Sequence, residues 1–277
     1  MQDKSNRIRV ATFNIGDYTT LTESAGNDIR YGSGTAKTLE EYREVFGKVN
    51  ADLWGLQEDS EFFFYPERIL PYDALYKDFL PNYERVFTET YNGKAFLSSL
   101  EISNVKPMNY PPAKPSYASE VIPYGHPWFL TGEVALGDKK ISVVSLHFDW
   151  QCKEKRAVQI AEVIKFAKSC EYCIIMGDFN PENRIDKKFV VDDDCATPGS
   201  KNMYKVEWKR FSDAGLLHAN GGEFGTFGTI MENGKPALPL PWDNIIITPN
   251  IKIVNAEVVY EPWMNDHAVV FADLEIK

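Results

Sequence analysis

IIMGDFNPEN, residues 174–183, begins as an apolar run fit for a core strand and ends in a knot of polar groups. Asp178 and Asn180 stand two apart, just before a proline. Gly-Asp and Asn-Pro are common turn formers, so the stretch alone reads equally as a surface turn or as the floor of a site.

The same pattern recurs along the chain. ATFN ends at Asn14, WGLQED reaches Glu58, and VVSLHFD carries His147. Later, PWDNIII places Asp243 at the head of an apolar run, and NDHAVV places Asp266 and His267 just ahead of another. Binding groups favour loops held by a rigid scaffold. If these ends meet at one edge of the sheets, they form a pocket of carboxylates, imidazoles and carboxamides. The bland reading of each residue, a cap or turn former, loses weight because the pattern repeats.

Between these ends the chain reads as alternating strands and helices. RIRVATFNI is a strand, and Leu39, Tyr42, Val45, Phe46 and Val49 recur at helical spacing over 37–49. Residues 61–80 suggest broken helices, and 105–127 a proline-rich irregular insertion. Strands follow at 130–136 and 141–147, then a helix over 153–168 with Val158, Ala161, Ile164 and Ala167 on its apolar face. Residues 181–237 are charged and glycine-rich, and three strands close the chain. With no fixed-period repeat and no linker, residues 1–277 read as one layered α/β domain.

Composition narrows the function. Of 277 residues, 44% are hydrophobic, so the chain can bury a large core. A net charge of -10 argues against a wholesale basic footprint for nucleic acid. No run approaches the roughly 18 apolar residues of a membrane span. The start, MQDKSNRIRV, has no apolar leader region, which fits a cytoplasmic chain or a secreted or periplasmic mature form. Cys170 and Cys173 form a CxxC that admits redox chemistry, half a zinc site, or thiols that pack or pair structurally. Cys152 and Cys195 add no metal spacing. NGGEFGTFGT, 220–229, lacks the Gly-Lys-Ser/Thr ending of a phosphate loop. His126 and His218 show no partner pattern and read as structural or exposed.

Acids, amides and imidazoles in one pocket suit a hard-cation phosphoester hydrolase. Mg²⁺ or Mn²⁺ prefers carboxylate and water oxygens. A carboxylate can activate water, and an imidazolium can donate to the developing phosphorane oxygens.

TFNIG, LQED, SLHFD, MGDFNPE, PWDNIII and NDHAVVFADLEI, in this order from residue 12 to 276, resemble the endonuclease/exonuclease/phosphatase (DNase I-like) superfamily. The resemblance implies an α/β fold, a four-layered α/β/β/α sandwich with two mixed β-sheets packed face to face. It implies Glu58 as principal metal carboxylate, Asn14 as a metal or phosphate contact, and Asp266 as a second metal-side carboxylate. It further implies Asp178 as the residue that activates water, Asn180 as its phosphate-holding neighbour, and His267 as a phosphate contact oriented by Asp243. His147 matches a histidine aimed at the scissile phosphate, and Thr226 and Phe227 brace the site floor. Ile15 stands where some members carry an acid. Many members carry a basic residue after Leu-Ser, where this chain reads LSSL; Lys94 is the candidate replacement.

The expected activity is divalent-metal-dependent hydrolysis of a phosphodiester or phosphomonoester by direct water attack, with a small-molecule substrate favoured and a monomer expected. A nuclease would use basic residues such as the KEKR run at 153–156, Lys187, Lys188, Lys201, Lys205, Lys209 and Arg210 to hold nucleic acid. A sphingomyelinase-like phospholipid phosphodiesterase would dock on a membrane surface through aromatic residues in 61–69 or 105–129. A catalytically inactive binding module of the same fold is the remaining alternative.

Overall fold

The computed structural model describes residues 6–15, 39–58, 82–87, 93–109, 127–149, 153–181, 183–185, 188–190, 205–219, 226, 231–232, 235–236, 242–261 and 267–277. The early strands are β1 (Arg7–Asn14), β2 (Leu53–Gln57), β3 (Glu84–Phe87), β4 (Lys94–Ser98), β5 (Ile102–Asn109), β6 (Pro127–Leu136), β7 (Lys139–His147) and β8 (Cys173–Asp178). Short ribbons follow, β9 (Asn183–Ile185) with β10 (Lys188–Val190), and β12 (Met231–Glu232) with β13 (Lys235–Pro236). The remaining strands are β11 (Leu217–His218), β14 (Asp243–Ile247), β15 (Ile251–Val259) and β16 (Val269–Ile276). The helices are α1 (Leu39–Val49), α2 (Lys153–Lys168) and α3 (Lys205–Asp213).

Two six-stranded mixed sheets carry the fold, in the orders β15-β16-β1-β2-β4-β3 and β11-β14-β8-β7-β6-β5. Three apolar cores define the layers. Val45, Phe46 and Val49 of α1 pack with Phe13, Trp54 and Leu56 on the outer face of the first sheet. Ile8, Val10, Leu53, Phe96, Val143, Ile174, Met176 and Ile245 fill the space between the sheets. Ile160 and Val163 of α2 and Trp208 and Phe211 of α3 cover Val144, Leu146, Ile175 and Ile246 on the outer face of the second sheet. The result is the α/β/β/α sandwich.

Covering on both faces explains the apolar runs. In β8, Cys173 and Ile175 face outward and Ile174 and Met176 face inward, so alternation gives no polar side. Gly177 in the same strand is a steric requirement: a Cβ there would lie 2.3 Å from the backbone oxygen of Leu146. Gly55 plays a related part between the sheets, where a Cβ would meet Met176 Cβ at 2.9 Å.

Three sequence expectations are corrected. The 105–127 insertion starts later, because β5 runs to Asn109 through Pro107. β5 is an edge strand with shifts in its register, where a missing N–H is tolerated. Helix α2 has the expected bounds but is rotated from its expected face: Val158 is 42% exposed, whereas Arg156 and Gln159 are buried with Ile160 and Val163. Arg156 donates to the Asp149 carbonyl at 3.0 Å and to Glu207 of α3 at 3.2 Å, and Gln159 Oε1 accepts from Asp149 N at 3.0 Å. The third correction is α3, which lies within the stretch read as charged and glycine-rich and is anchored by Trp208 and Phe211. The helices expected over 61–80, the docking segment 61–69 and residues 110–126 of the other docking segment lie outside the described residues.

Candidate active site

Strand alternation carries the central core toward a polar end. On the inner face, Val10 is followed by Thr12 and Asn14 in β1, and Leu53 by Gly55 and Gln57 in β2. Phe96 is preceded by Lys94 in β4, Met176 is followed by Asp178 in β8, and Ile245 is preceded by Asp243 in β14. The register aligns these rungs: Asn14 opposite Gln57, Gln57 opposite Lys94, and Asp178 between His147 and Asp243. Two opposed sheets thus end their shared core in one polar cluster.

Asp178 Oδ2 is the hub. It accepts a hydrogen bond from Asn14 Nδ2 at 3.1 Å and lies 3.5 Å from His147 Nε2 and 3.6 Å from His267 Nε2. The same Asn14 Nδ2 donates to Glu58 Oε1 at 3.2 Å, so one amide ties two carboxylates together. Glu58 leans toward solvent with its side chain 21% exposed, whereas that of Asp178 is 1% exposed. Both Glu58 (φ 54°) and Asn180 (φ 40°) adopt left-handed backbone conformations, which non-glycine residues rarely do and which cluster at functional sites. Asn180 N donates to Asp178 Oδ1 at 2.9 Å, and its Nδ2 donates to the Phe148 carbonyl at 3.2 Å.

His267 sits behind Asp178. Its Nδ1 lies 2.9 Å from Asp243 Oδ2, which directs Nε2 at Asp178. Thr226 joins the two supporting segments: its Oγ1 accepts from Asp243 N at 2.8 Å, and its carbonyl accepts from Ala268 N at 2.7 Å. Trp242 packs against the imidazole with ring centroids 6.2 Å apart.

Burial sets the protonation states. It is the largest cause pushing the Asp178 carboxyl up to about 7. The positive field of His267 and the hydrogen bonds from Asn180 and Asn14 oppose this, while Asp243 adds to it. A carboxyl titrating near neutrality is poised for general-base work. Burial drives His147 in the other direction, well below the usual imidazole range, assisted by the charges of Lys94 and His267. His147 is therefore neutral at pH 7. Its buried Nδ1 has no hydrogen-bond partner among the described residues.

Asn14, Glu58, His147, Asp178, Asn180, Asp243 and His267 therefore converge, with Thr226 beneath them. Asp266 and Phe227 lie outside the described residues. Lys94, buried at 4% exposure, belongs to the same rung and acts electrostatically on His147. One feature was not anticipated from sequence: Gln57 crosses between the sheets, accepting from Thr12 Oγ1 at 3.2 Å and donating to Ser145 Oγ at 3.3 Å. Its signal was an amide on the inward face of a strand otherwise apolar there. His218 is structural as expected, packed against Trp208 and Phe211 and 3.4 Å from Asn244 Nδ2.

The donor set fits a hard divalent cation. Asp178, Asp243 and His267 place possible ligand atoms within 4.8 Å of one another. The Asp243–His267 contact already uses Nδ1 and one carboxylate oxygen, so this buried trio is better suited to orienting an imidazole. Glu58, partly exposed and held by Asn14, offers the carboxylate oxygen best placed for a cation that keeps several of its waters, as Mg²⁺ does.

The layers and the polar rung at their edge define a DNase I-like sandwich. A profile described as the Endonuclease/Exonuclease/phosphatase family matches residues 11–181, and the chain belongs to that family. Family members are hydrolases of phosphate esters. No curated protein matches the chain significantly. Among solved structures it is similar to an endonuclease/exonuclease/phosphatase family protein from Bacteroides thetaiotaomicron, with 16% identity and a TM-score of 0.65 over 98% of each chain. An AP endonuclease from Archaeoglobus fulgidus is similar over 96% of this chain and 98% of its own, at 16% identity and a TM-score of 0.60. The 3' phosphatase NExo from Neisseria, solved with a product DNA hairpin, shares 18% identity and a TM-score of 0.59 over 98% of this chain and 99% of its own. At these identities the likeness concerns the fold.

Proposed function

We propose that the protein is a divalent-metal-dependent phosphoesterase in which Asp178 activates water for direct attack on phosphorus. The observation that carries this reading is Asp178, buried at the end of β8, titrating near 7 and held by Asn14 across the two sheets. Glu58, with Asn14, would hold Mg²⁺ or Mn²⁺, and Asp266 is a further candidate ligand. Such an ion would polarise the phosphoryl group and screen its charge from the acids.

The chain's own groups supply the rest. Ionised Asp178 takes a proton from water. His267, oriented by Asp243, presents Nε2 to a phosphoryl oxygen, and protonated it would offset the charge that develops there. Neutral His147 offers a second imidazole donor from the opposite side of Asp178. Asn180 keeps Asp178 in place through its backbone N–H and is the candidate phosphate contact next to it. A buried site of this kind favours a small phosphodiester or phosphomonoester.

Nucleic acid is the second reading, because NExo and the Danio rerio protein TDP2 were solved with DNA products. Two of the basic residues expected to grip a nucleic-acid backbone are otherwise engaged: Arg156 is buried against Glu207, and Lys209 pairs with Asp213.

The test is hydrolysis, with Mg²⁺ or Mn²⁺, of p-nitrophenyl phosphate, bis-p-nitrophenyl phosphate, plasmid and abasic-site DNA, and sphingomyelin vesicles. Turnover of one class that a chelator abolishes supports the reading and assigns the substrate class. Silence on every ester, with metal binding absent by calorimetry, would favour the inactive binding module instead.

A further inference from the structure

Cys170 and Cys173 lie at the end of β8 remote from Asp178, and both are free thiols. Beyond the end of α2, Cys170 N donates to the Ala167 carbonyl at 3.1 Å. The turn folds its side chain back, with Sγ 3.3 Å from the Phe166 carbonyl and 3.9 Å from Ser169 Oγ. Cys170 is half-buried against the same outer core that contains Cys173.

Cys173 is wholly buried and fixed at the head of its strand. Its N–H donates to Thr248 Oγ1 at 3.0 Å, and its carbonyl accepts from Thr248 N at 3.1 Å. The two side chains, three residues apart, pack into one apolar corner, Cys173 within the outer core and Cys170 against it. The Cys173 thiol is the main influence drawing Cys170 down to about 6, against burial, and Cys173 itself is held well above the usual thiol range. Ser142 and Ser169 assist the lowering, and the charge of Glu133 opposes it. The corner therefore pairs a reachable thiol with an inaccessible one.

We propose that Cys170 and Cys173 form a reversible dithiol–disulfide couple, a redox modification site whose oxidant is a small-molecule disulfide. Deprotonated Cys170 attacks one sulfur of that disulfide and expels its first thiolate. Cys173 then loses its proton, attacks the Cys170 sulfur and expels the second thiol. The protein gives up two hydrogens in all, and the external disulfide is reduced to two thiols. The resolving step needs no solvent access to Cys173, because the sulfur it attacks is its neighbour. This couple is independent of the proposed hydrolytic activity.

The full chain is equilibrated in glutathione disulfide, quenched with acid, alkylated and mapped by mass. Both cysteines fall on the tryptic peptide 169–184, apart from Cys152 and Cys195. The expected result is a loss of two hydrogens from that peptide, reversed by a dithiol reductant. Cys173→Ala should instead trap glutathione on Cys170, and Cys170→Ala should leave Cys173 unmodified. Accumulation of a glutathione adduct in the wild type without the internal cross-link would overturn the proposal, as would a peptide that stays fully alkylated.

Discussion

Asn14 Nδ2 lies 3.1 Å from Asp178 Oδ2, joining the ends of strands in different sheets across 164 positions of sequence. The same nitrogen reaches Glu58 at 3.2 Å, so a single amide sets the separation of the two carboxylates assigned to metal and water. Replacing it with a third carboxylate would remove both hydrogen bonds and add repulsion. Asn14→Asp should lower kcat by about 10²- to 10³-fold, the scale of losing a positioned polar contact in an active site. Steady-state kinetics at saturating Mn²⁺ measures this, and unchanged kcat would show that the amide is only structural.

Asp178 also makes a prediction about stability. Its folded carboxyl titrates at about 7 rather than 3.8, so the native state binds this proton more tightly than the unfolded chain. The group therefore favours folding below about 4, and that contribution is lost as pH rises through 7. Asp178→Asn removes the charge without removing the shape. In chelator-treated protein, the melting temperature of the variant relative to wild type should increase between pH 4 and 8. A constant difference would contradict the buried-carboxyl assignment.

Asp243 acts through His267. With Nδ1 fixed at 2.9 Å from Asp243 Oδ2, the imidazole has a defined direction, and Thr226 secures the acid from behind. Asp243→Asn should cut kcat by about 10²- to 10⁴-fold, the range for losing a positioned acid–base partner. Metal affinity, read by calorimetry, should fall much less than in Glu58→Ala. Equal losses in the two variants would contradict the division of roles.

Lys94 brings a buried cation to an acidic rung, and its field already depresses His147. We expect its ammonium to attract the phosphate of the substrate. Lys94→Met keeps the stem and removes the charge; kcat/KM should fall about 10- to 100-fold, mainly through KM, with partial recovery in Lys94→Arg. A loss confined to kcat with unchanged KM would instead place Lys94 in support of His147.

Much of this was legible because doubly covered sheets write themselves as apolar runs, and their polar ends stand out against them. β8 with Asp178 and β14 with Asp243 were visible for that reason. The face of α2 was not, because Arg156 and Gln159 are buried by bonds to the backbone of Asp149 and to Glu207, a polar burial that hydrophobic periodicity scores as exposure. Helix α3 is short, and its Trp208 and Phe211 gain meaning only when the second sheet supplies a face to cover. Gln57 depends on Ser145, a partner in the opposite sheet that no local pattern reveals.

The most direct test of the account is hydrolysis of bis-p-nitrophenyl phosphate or p-nitrophenyl phosphate by wild type and Asp178→Asn, with Mn²⁺, from pH 5 to 9. The account predicts chelator-sensitive turnover on at least one ester, rising tenfold per unit below about 7 and levelling above it, and absent from the variant. Comparable turnover in the variant, or a wild-type rate indifferent to pH across that range, would contradict Asp178 as the base.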